Sequence, residues 1–188
     1  IGGAGTIGSS TIKKLFSLNV KRLDVIDSDE NSLAELVRDI RSSDGYTTKN
    51  FNTFNIDATS DSFIKFLGRG IEYNYILNFA AVKHVRAERN VFSILRMIDV
   101  NIGIPLKIAK YLKNKKKLPK LFIVSTDKAS DPVNFMGASK QLMEEILNNT
   151  PNIETSKCRF ANVIFSKGSL PESFIYRINL RQPLPRGS

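Results

Sequence analysis

The chain has 188 residues, enough for one domain with a sizeable core, and its 41% hydrophobic and 24% charged residues make an ordinary soluble composition. No apolar run reaches the roughly 18 residues of a membrane span. One cysteine, Cys158, excludes an internal disulfide, and one histidine, His84, leaves too few ligands for a His/Cys metal centre. The formal charge of +10 suits an anionic partner: nucleic acid, a membrane surface or a phosphorylated small molecule.

The first readable feature is "GGAGTIGSS", with Gly2, Gly5 and Gly8 in the spacing G-x-x-G-x-x-G. Such a turn permits close backbone approach to a pyrophosphate and tight helix–strand packing, and the following helix offers free N–H groups to the phosphates. Ile12, Leu15 and Phe16 share one face of that helix. Residues 20–26 read as a strand ending at Asp27, 19 positions after Gly8. A carboxylate there accepts from the adenosine ribose hydroxyls and repels a 2′-phosphate, so NAD is expected rather than NADP. Leu33, Leu36, Val37 and Ile40 form a second helical face. Residues 51–56 read as a strand, followed by Asp57, placed to accept from an adenine amine, and by a short helix carrying Phe63, Phe66 and Leu67.

Residues 73–81 and 121–125 are short apolar runs of the kind that form buried parallel strands. The first ends in Ala80 and Ala81, small residues against which a cofactor can lie. Residues 91–112 carry a helical pattern that Gly103 and Pro105 are expected to kink or interrupt. The basic run "KNKKKLPK", residues 113–120, reads as a solvated loop. Residues 135–148 read as a helix and 157–165 as a strand, while the final "PLPRGS" has no pattern. Alternating β and α segments imply an α/β fold: a doubly wound parallel sheet of Rossmann type with helices on both faces. The chain reads as one NAD-binding domain, residues 1–188. A glycine turn of this kind follows a strand, so a first strand, like a C-terminal substrate region, is expected to lie outside these 188 residues.

The segments "GGAGTIGS", "DSDENSL", "NFAAVKHV", "RMIDVN", "VSTDKASDPVNFMGASK" and "RFANVIFSKGSLPESF" together resemble an extended short-chain dehydrogenase/reductase. In detail the chain resembles the nucleotide-sugar 4,6-dehydratases of polysaccharide biosynthesis, which act on UDP-N-acetylglucosamine. The wider superfamily has a tyrosine four residues before the lysine matching Lys140. Here Met136 stands in its place, as it does in one subgroup of the dehydratases.

The resemblance implies catalytic roles for Thr126, Asp127 (general acid), Lys128 (general base), Met136 and Lys140. Cofactor contacts are implied for Gly2, Gly5, Thr6, Ile7, Gly8, Asp27, Asp57, Ala58, Ala80, Ala81, Lys83, Asn101 and Lys140, and UDP-sugar contacts for Lys83, His84, Arg159 and Asn162. No metal is implied. A thioether neither ionises nor donates, so Asp127, a water held by Thr126, or Lys140 must take the proton that tyrosine usually takes. The expected setting is a homo-oligomer in the cytoplasm, without specific nucleic-acid binding or a membrane segment in this chain. An epimerase on the same scaffold and a non-catalytic dinucleotide-binding module are the alternatives. A basic nucleic-acid binder has only net charge in its favour.

Overall fold

The computed structural model describes residues 1–43, 50–83, 88, 90–113 and 115–184. Helix α1 (Thr6–Phe16) leads to strand β1 (Leu23–Asp27), helix α2 (Glu30–Ser42), strand β2 (Phe51–Asn55) and helix α3 (Asp61–Leu67). Strand β3 (Tyr75–Asn78), helices α4 (Val91–Ile98) and α5 (Ile104–Leu112), strand β4 (Lys120–Thr126), helix α6 (Phe135–Asn148), strand β5 (Thr155–Phe160) and helix α7 (Leu170–Asn179) follow.

All strand pairs are parallel. β1 pairs with β2 from Leu23↔Phe51 to Asp27↔Asn55. β4 lies between β3 and β5. Ile1 and Gly2 join the two groups: the Ile1 nitrogen donates to Leu77 O, Phe79 N donates to Ile1 O, and Gly2 N donates to Ile26 O, each at 2.8 Å. The chain runs outward from this junction through β1 to β2, then returns to its other side through β3, β4 and β5. Such a reversal is the topological switch point of a doubly wound sheet, where a crevice opens at the carboxyl ends of the strands.

Burial explains the layers. Successive strand residues face opposite sides of a sheet. Val25 packs with Ile12, Phe16, Leu33, Leu36 and Ile40, while its neighbour Ile26 packs with Phe63, Phe66, Ile104 and Ile108. Helices α1 and α2 therefore cover one face of β1, and α3 and α5 the other. The second cluster continues through Leu121 and Ile123 of β4 to Met143 and Leu147 of α6. The opposite face beneath β3–β5 is open: Tyr75, Leu77, Phe79, Phe122 and Phe160 line a groove of about 330 Å³ with Ile7 and Thr11.

Caps account for the helix starts. Asp29 accepts from Ser32 N at 3.0 Å, and Asn134 accepts from Gly137 N at 2.8 Å. The interruption expected at Gly103 and Pro105 is a π-turn over Asp99–Gly103. Ile104 N reaches back to Asp99 O, and Pro105, without an N–H, sits in the first turn of α5.

Two expectations need correction. The last strand spans Thr155–Phe160, not 157–165: its ladder with β4 ends at the Thr126↔Phe160 pair, and Phe165 adopts a left-handed φ of 57° that no strand accommodates. Helix α7 has no counterpart among the expected elements; Leu170, Phe174 and Ile178 recur at helical spacing on it, but the helix buries no residue.

Candidate active site

The glycine turn meets the demands of its geometry. Gly2 has φ +67°, and a Cβ there would stand 2.5 Å from Ala80 N. A Cβ on Gly8 would stand 2.5 Å from Gly2 O. Both positions exclude a side chain, the first also by backbone conformation. The crevice at the switch point is about 320 Å³ and is lined by Gly2, Gly5, Asp27, Asp57, Ala58, Ala80 and Ala81, with Ser28, Val82 and Arg96 among others.

Asp27 ends β1 and holds the turn: one carboxylate oxygen accepts from Ala4 N at 2.9 Å, the other from Asp29 N at 3.1 Å. Asp57 accepts from Thr59 N and Oγ1 through one oxygen and pairs with Arg96 at 3.0 Å through the other. Burial works to raise the Asp57 carboxyl, but Thr59 and Arg96 outweigh it and hold it below the usual range. Arg96, which the sequence reading did not single out, thus belongs to the crevice. Its signal lay in the segment "RMIDVN", one turn before the π-turn.

The π-turn delivers Asn101 to the interior, fully buried. Its side chain accepts from Val82 N at 3.0 Å and donates to Val82 O at 3.1 Å and Ser139 Oγ at 3.0 Å. It ties the segment after β3 to α6, so it shapes the crevice wall from behind. Thr6, Ile7 and Gly8 begin α1, and Thr6 Oγ1 accepts from Lys167 N. Lys83 lies exposed and donates to Ser166 Oγ and Lys167 O. His84 lies outside the described residues.

At the carboxyl end of β4, Thr126 caps a short 3₁₀ turn, Asp127–Ala129. Its hydroxyl donates to Asp127 Oδ1 at 2.9 Å. The same oxygen accepts from Lys128 N at 2.9 Å and Lys128 Nζ at 3.3 Å. The Thr126 hydroxyl above all, with desolvation opposing it and the Lys128 contacts adding to it, holds the half-exposed Asp127 carboxyl below the usual carboxylate range. Asp127 is therefore a carboxylate at neutral pH: before it can act as an acid it must collect a proton.

Met136 and Lys140 lie one turn apart on α6, both buried. Lys140 donates to Val124 O at 3.1 Å. Its burial removes the ammonium from water and lowers its pKa to about 8, although Glu144 acts in the other direction. Gly137 lets α6 touch the Asp127–Ala129 turn: a Cβ there would lie 2.5 Å from Lys128 O.

Arg159, expected to face a substrate, clasps Glu144 with Nε at 3.0 Å and Nη2 at 2.7 Å, while Ser125 Oγ donates to the same carboxylate at 2.5 Å. These bonds, Arg159's first, hold the Glu144 carboxyl below its usual range despite burial. Asn162 is exposed beyond β5. Sequence reasoning missed Gly137 and Glu144, which carry no chemistry that spacing alone reveals.

The sequence profile of the polysaccharide biosynthesis protein family matches residues 1–186. The chain belongs to this family. It is 32% identical over 178 residues to an uncharacterized membrane protein of Methanocaldococcus jannaschii, covering 90% of this chain and 49% of the relative. It is 27% identical over 191 residues to a UDP-glucose 4-epimerase of Rickettsia typhi, covering 94% and 52%. Thus the chain spans about half the length of these relatives.

Among solved structures, Pen from Bacillus thuringiensis superposes with a TM-score of 0.80 at 25% identity, over 97% of this chain and 55% of that one. WbmF of Bordetella bronchiseptica, solved with NAD+ and UDP, superposes with a TM-score of 0.73 at 19% identity, over all of this chain and 60% of that one. These likenesses bear out the Rossmann-type architecture. Although the M. jannaschii relative is named a membrane protein, no helix among the described residues is long and apolar enough to cross a membrane.

Proposed function

We propose that the chain is the dinucleotide-binding part of an NAD-dependent nucleotide-sugar 4,6-dehydratase, acting on UDP-N-acetylglucosamine or a close relative in surface polysaccharide biosynthesis. One arrangement carries the reading. An exposed acid–base turn, Thr126–Asp127–Lys128, stands at the carboxyl end of β4, seated by Gly137 on the helix that bears Lys140. The crevice at the switch point supports the cofactor reading: Gly2 leaves room for close backbone approach, and Asp27 lines it at the end of β1. The R. typhi epimerase and WbmF, solved with NAD+ and UDP, support the cofactor and the UDP-sugar class.

When bound, the nicotinamide would take a hydride from C4 of the sugar and later return it to C6. The chain's own groups do the rest. The amino end of α1 receives the pyrophosphate through the backbone at Thr6, Ile7 and Gly8, and Asp27 accepts from the ribose hydroxyls. Asp57, Ala58, Ala80, Ala81 and Asn101 complete the cofactor side. Lys140 serves the nicotinamide ribose.

Asp127 begins as a carboxylate, so it takes the C4 hydroxyl proton that tyrosine takes elsewhere. Thus loaded, it is the acid that protonates the departing C6 hydroxyl, which leaves as water. Lys128, as the free amine, removes the C5 proton made acidic by the 4-ketone and gives a proton back to C5 when hydride adds at C6. Lys83, His84, Arg159 and Asn162 are assigned to the UDP-sugar side, with Arg159 reaching it from its Glu144 pair.

The working form is placed in the cytoplasm as a homo-oligomer. The exposed Val91, Phe92 and Leu95 of α4 support the latter as surface for a second copy.

The R. typhi relative favours a second reading, an epimerase on the same scaffold. Incubating the intact protein with NAD and UDP-N-acetylglucosamine separates them by mass. A dehydratase product has lost one water; an epimerase product has not, and that outcome would replace the first reading by the second.

A further inference from the structure

Outward from the switch point, the crevice passes the glycine turn, then Asp27 at the end of β1, then Asp57 just beyond β2. A dinucleotide lying along it sets its pyrophosphate at the glycine turn and its adenosine ribose at Asp27, which leaves the base at Asp57. Arg96 of α4 reaches this outer end and lines it together with Ala58, Val100 and Ile104.

The Arg96 guanidinium is held along its edge. Nη2 pairs with Asp57 Oδ2 at 3.0 Å, and Nη1 donates to Thr59 Oγ1 at 2.9 Å. Thr59 is fixed in turn: its N–H and hydroxyl donate to Asp57 Oδ1 at 2.9 Å and 2.7 Å, and its carbonyl accepts from the Lys107 ammonium. A planar cation gripped at two nitrogens keeps one orientation, and a guanidinium face stacks well on an aromatic ring. The Arg96 side chain is half-exposed, so a ring entering from solvent meets it directly.

Asp57, by contrast, is crowded. A carboxylate oxygen accepts about two hydrogen bonds. Oδ1 already takes two from Thr59, and Oδ2 takes Arg96. An amine on the base would compete there with a guanidinium, a stronger donor than itself.

We propose that Arg96 is the base-stacking residue of the dinucleotide site: Asp57 and Thr59 hold its guanidinium flat against the purine, and the site reads the ring rather than its 6-amino group. This rests on the dinucleotide reading above. It makes Asp57 a positioning residue, which acts on the base through Arg96.

Fluorescence titrations of the intact protein test this with NADH and with reduced nicotinamide hypoxanthine dinucleotide, which carries an oxygen in place of the 6-amino group. The parent is expected to bind the two within about threefold of each other, whereas a full hydrogen bond from the amine to a carboxylate would separate them by about tenfold or more. Arg96→Ala should weaken both alike, by about threefold to thirtyfold. Arg96→Lys can still pair with Asp57 but has no plane to stack, so it should lose most of the same affinity.

A lysine variant with parent affinity would make the contribution one of charge and overturn the stacking. Parent affinity in the alanine variant overturns it as well. A hypoxanthine dinucleotide bound about tenfold or more weakly than NADH would return base recognition to Asp57 and overturn it too. Each of these results leaves the dinucleotide reading standing. If the parent binds neither dinucleotide, that reading falls and takes the role of Arg96 with it.

Discussion

Gly137→Ala is expected to displace the Asp127–Ala129 turn, and with it the proposed acid–base pair, while leaving the crevice at the switch point intact. The added Cβ would lie 2.5 Å from Lys128 O, 3.2 Å from Pro132 Cβ and 3.3 Å from Asn134 Oδ1. The first contact is about 1 Å shorter than ordinary van der Waals separation, and its partner is backbone, which cannot swing aside. Either α6 or the Asp127–Ala129 turn must move by that amount. Overpacking of this kind costs about 1–3 kcal/mol of stability. Displacing an acid–base pair by about 1 Å costs turnover on the order of 100-fold. Denaturant unfolding, NADH titration and product formation, measured on the intact protein, separate the effects. NADH affinity should stay near the parent value, because Gly2 and Asp27 are untouched. A variant with parent stability and parent turnover would show that α6 does not set the position of Asp127 and Lys128.

The parts of this site that were legible in the sequence are those whose constraint is local. A glycine that must adopt φ +67° beside Ala80, an acid at a strand end, and a Thr-Asp-Lys turn followed by a helix are each written within a few residues. The helix over Phe135–Asn148 was read with its full bounds because its cap and apolar pattern are both local. What escaped was set by partners far along the chain. Glu144 looks like any helical glutamate until β5 brings Arg159 alongside it, and Arg96 becomes part of the crevice only when the fold brings Asp57 to it. Of residues 163–169, the sequence assigns 163–165 to the end of a strand because Val163, Ile164 and Phe165 are β-formers. The backbone of this segment is instead decided by two left-handed residues, Phe165 and Gly168, and by contacts to Thr6, Asp29 and Lys83. The same long-range logic qualifies Arg159: spacing places it on the sheet's carboxyl side, but only the fold shows that Glu144 already holds it.

Asp27→Ala should weaken NAD binding and narrow the preference for NAD over NADP, tenfold for each lost 1.4 kcal/mol or so; it also frees Ala4 N and Asp29 N, so some loss of stability should accompany it. Titration with both cofactors checks this, and an unchanged ratio would move discrimination elsewhere. Met136→Leu should retain substantial activity, since the side chains are similar in volume and neither titrates; a loss on the order of a thousandfold in a folded variant would give the sulfur a role. Lys128→Met should suppress deuterium entry at C5 by about 100- to 10,000-fold while cofactor binding survives, and exchange at the parent rate would exclude Lys128 as the base. The last expectation concerns Lys140, whose pKa in the folded protein falls to about 8 from the ordinary lysine value of 10.5. Between those values the unfolded chain carries a proton that the folded one has lost, so the Lys140 contribution to stability rises with pH across the window. Below about pH 8 both states are protonated, and the full penalty of a buried ammonium, on the order of 3 kcal/mol, is present. Lys140→Met removes that titration, although it also removes the bond to Val124 O. The difference in unfolding free energy between parent and variant, measured from pH 7.5 to 10.5, should therefore move steadily in the parent's favour as pH rises. A difference that stays flat across this range would mean that the Lys140 ammonium is solvated in the folded protein and free to swing toward the crevice.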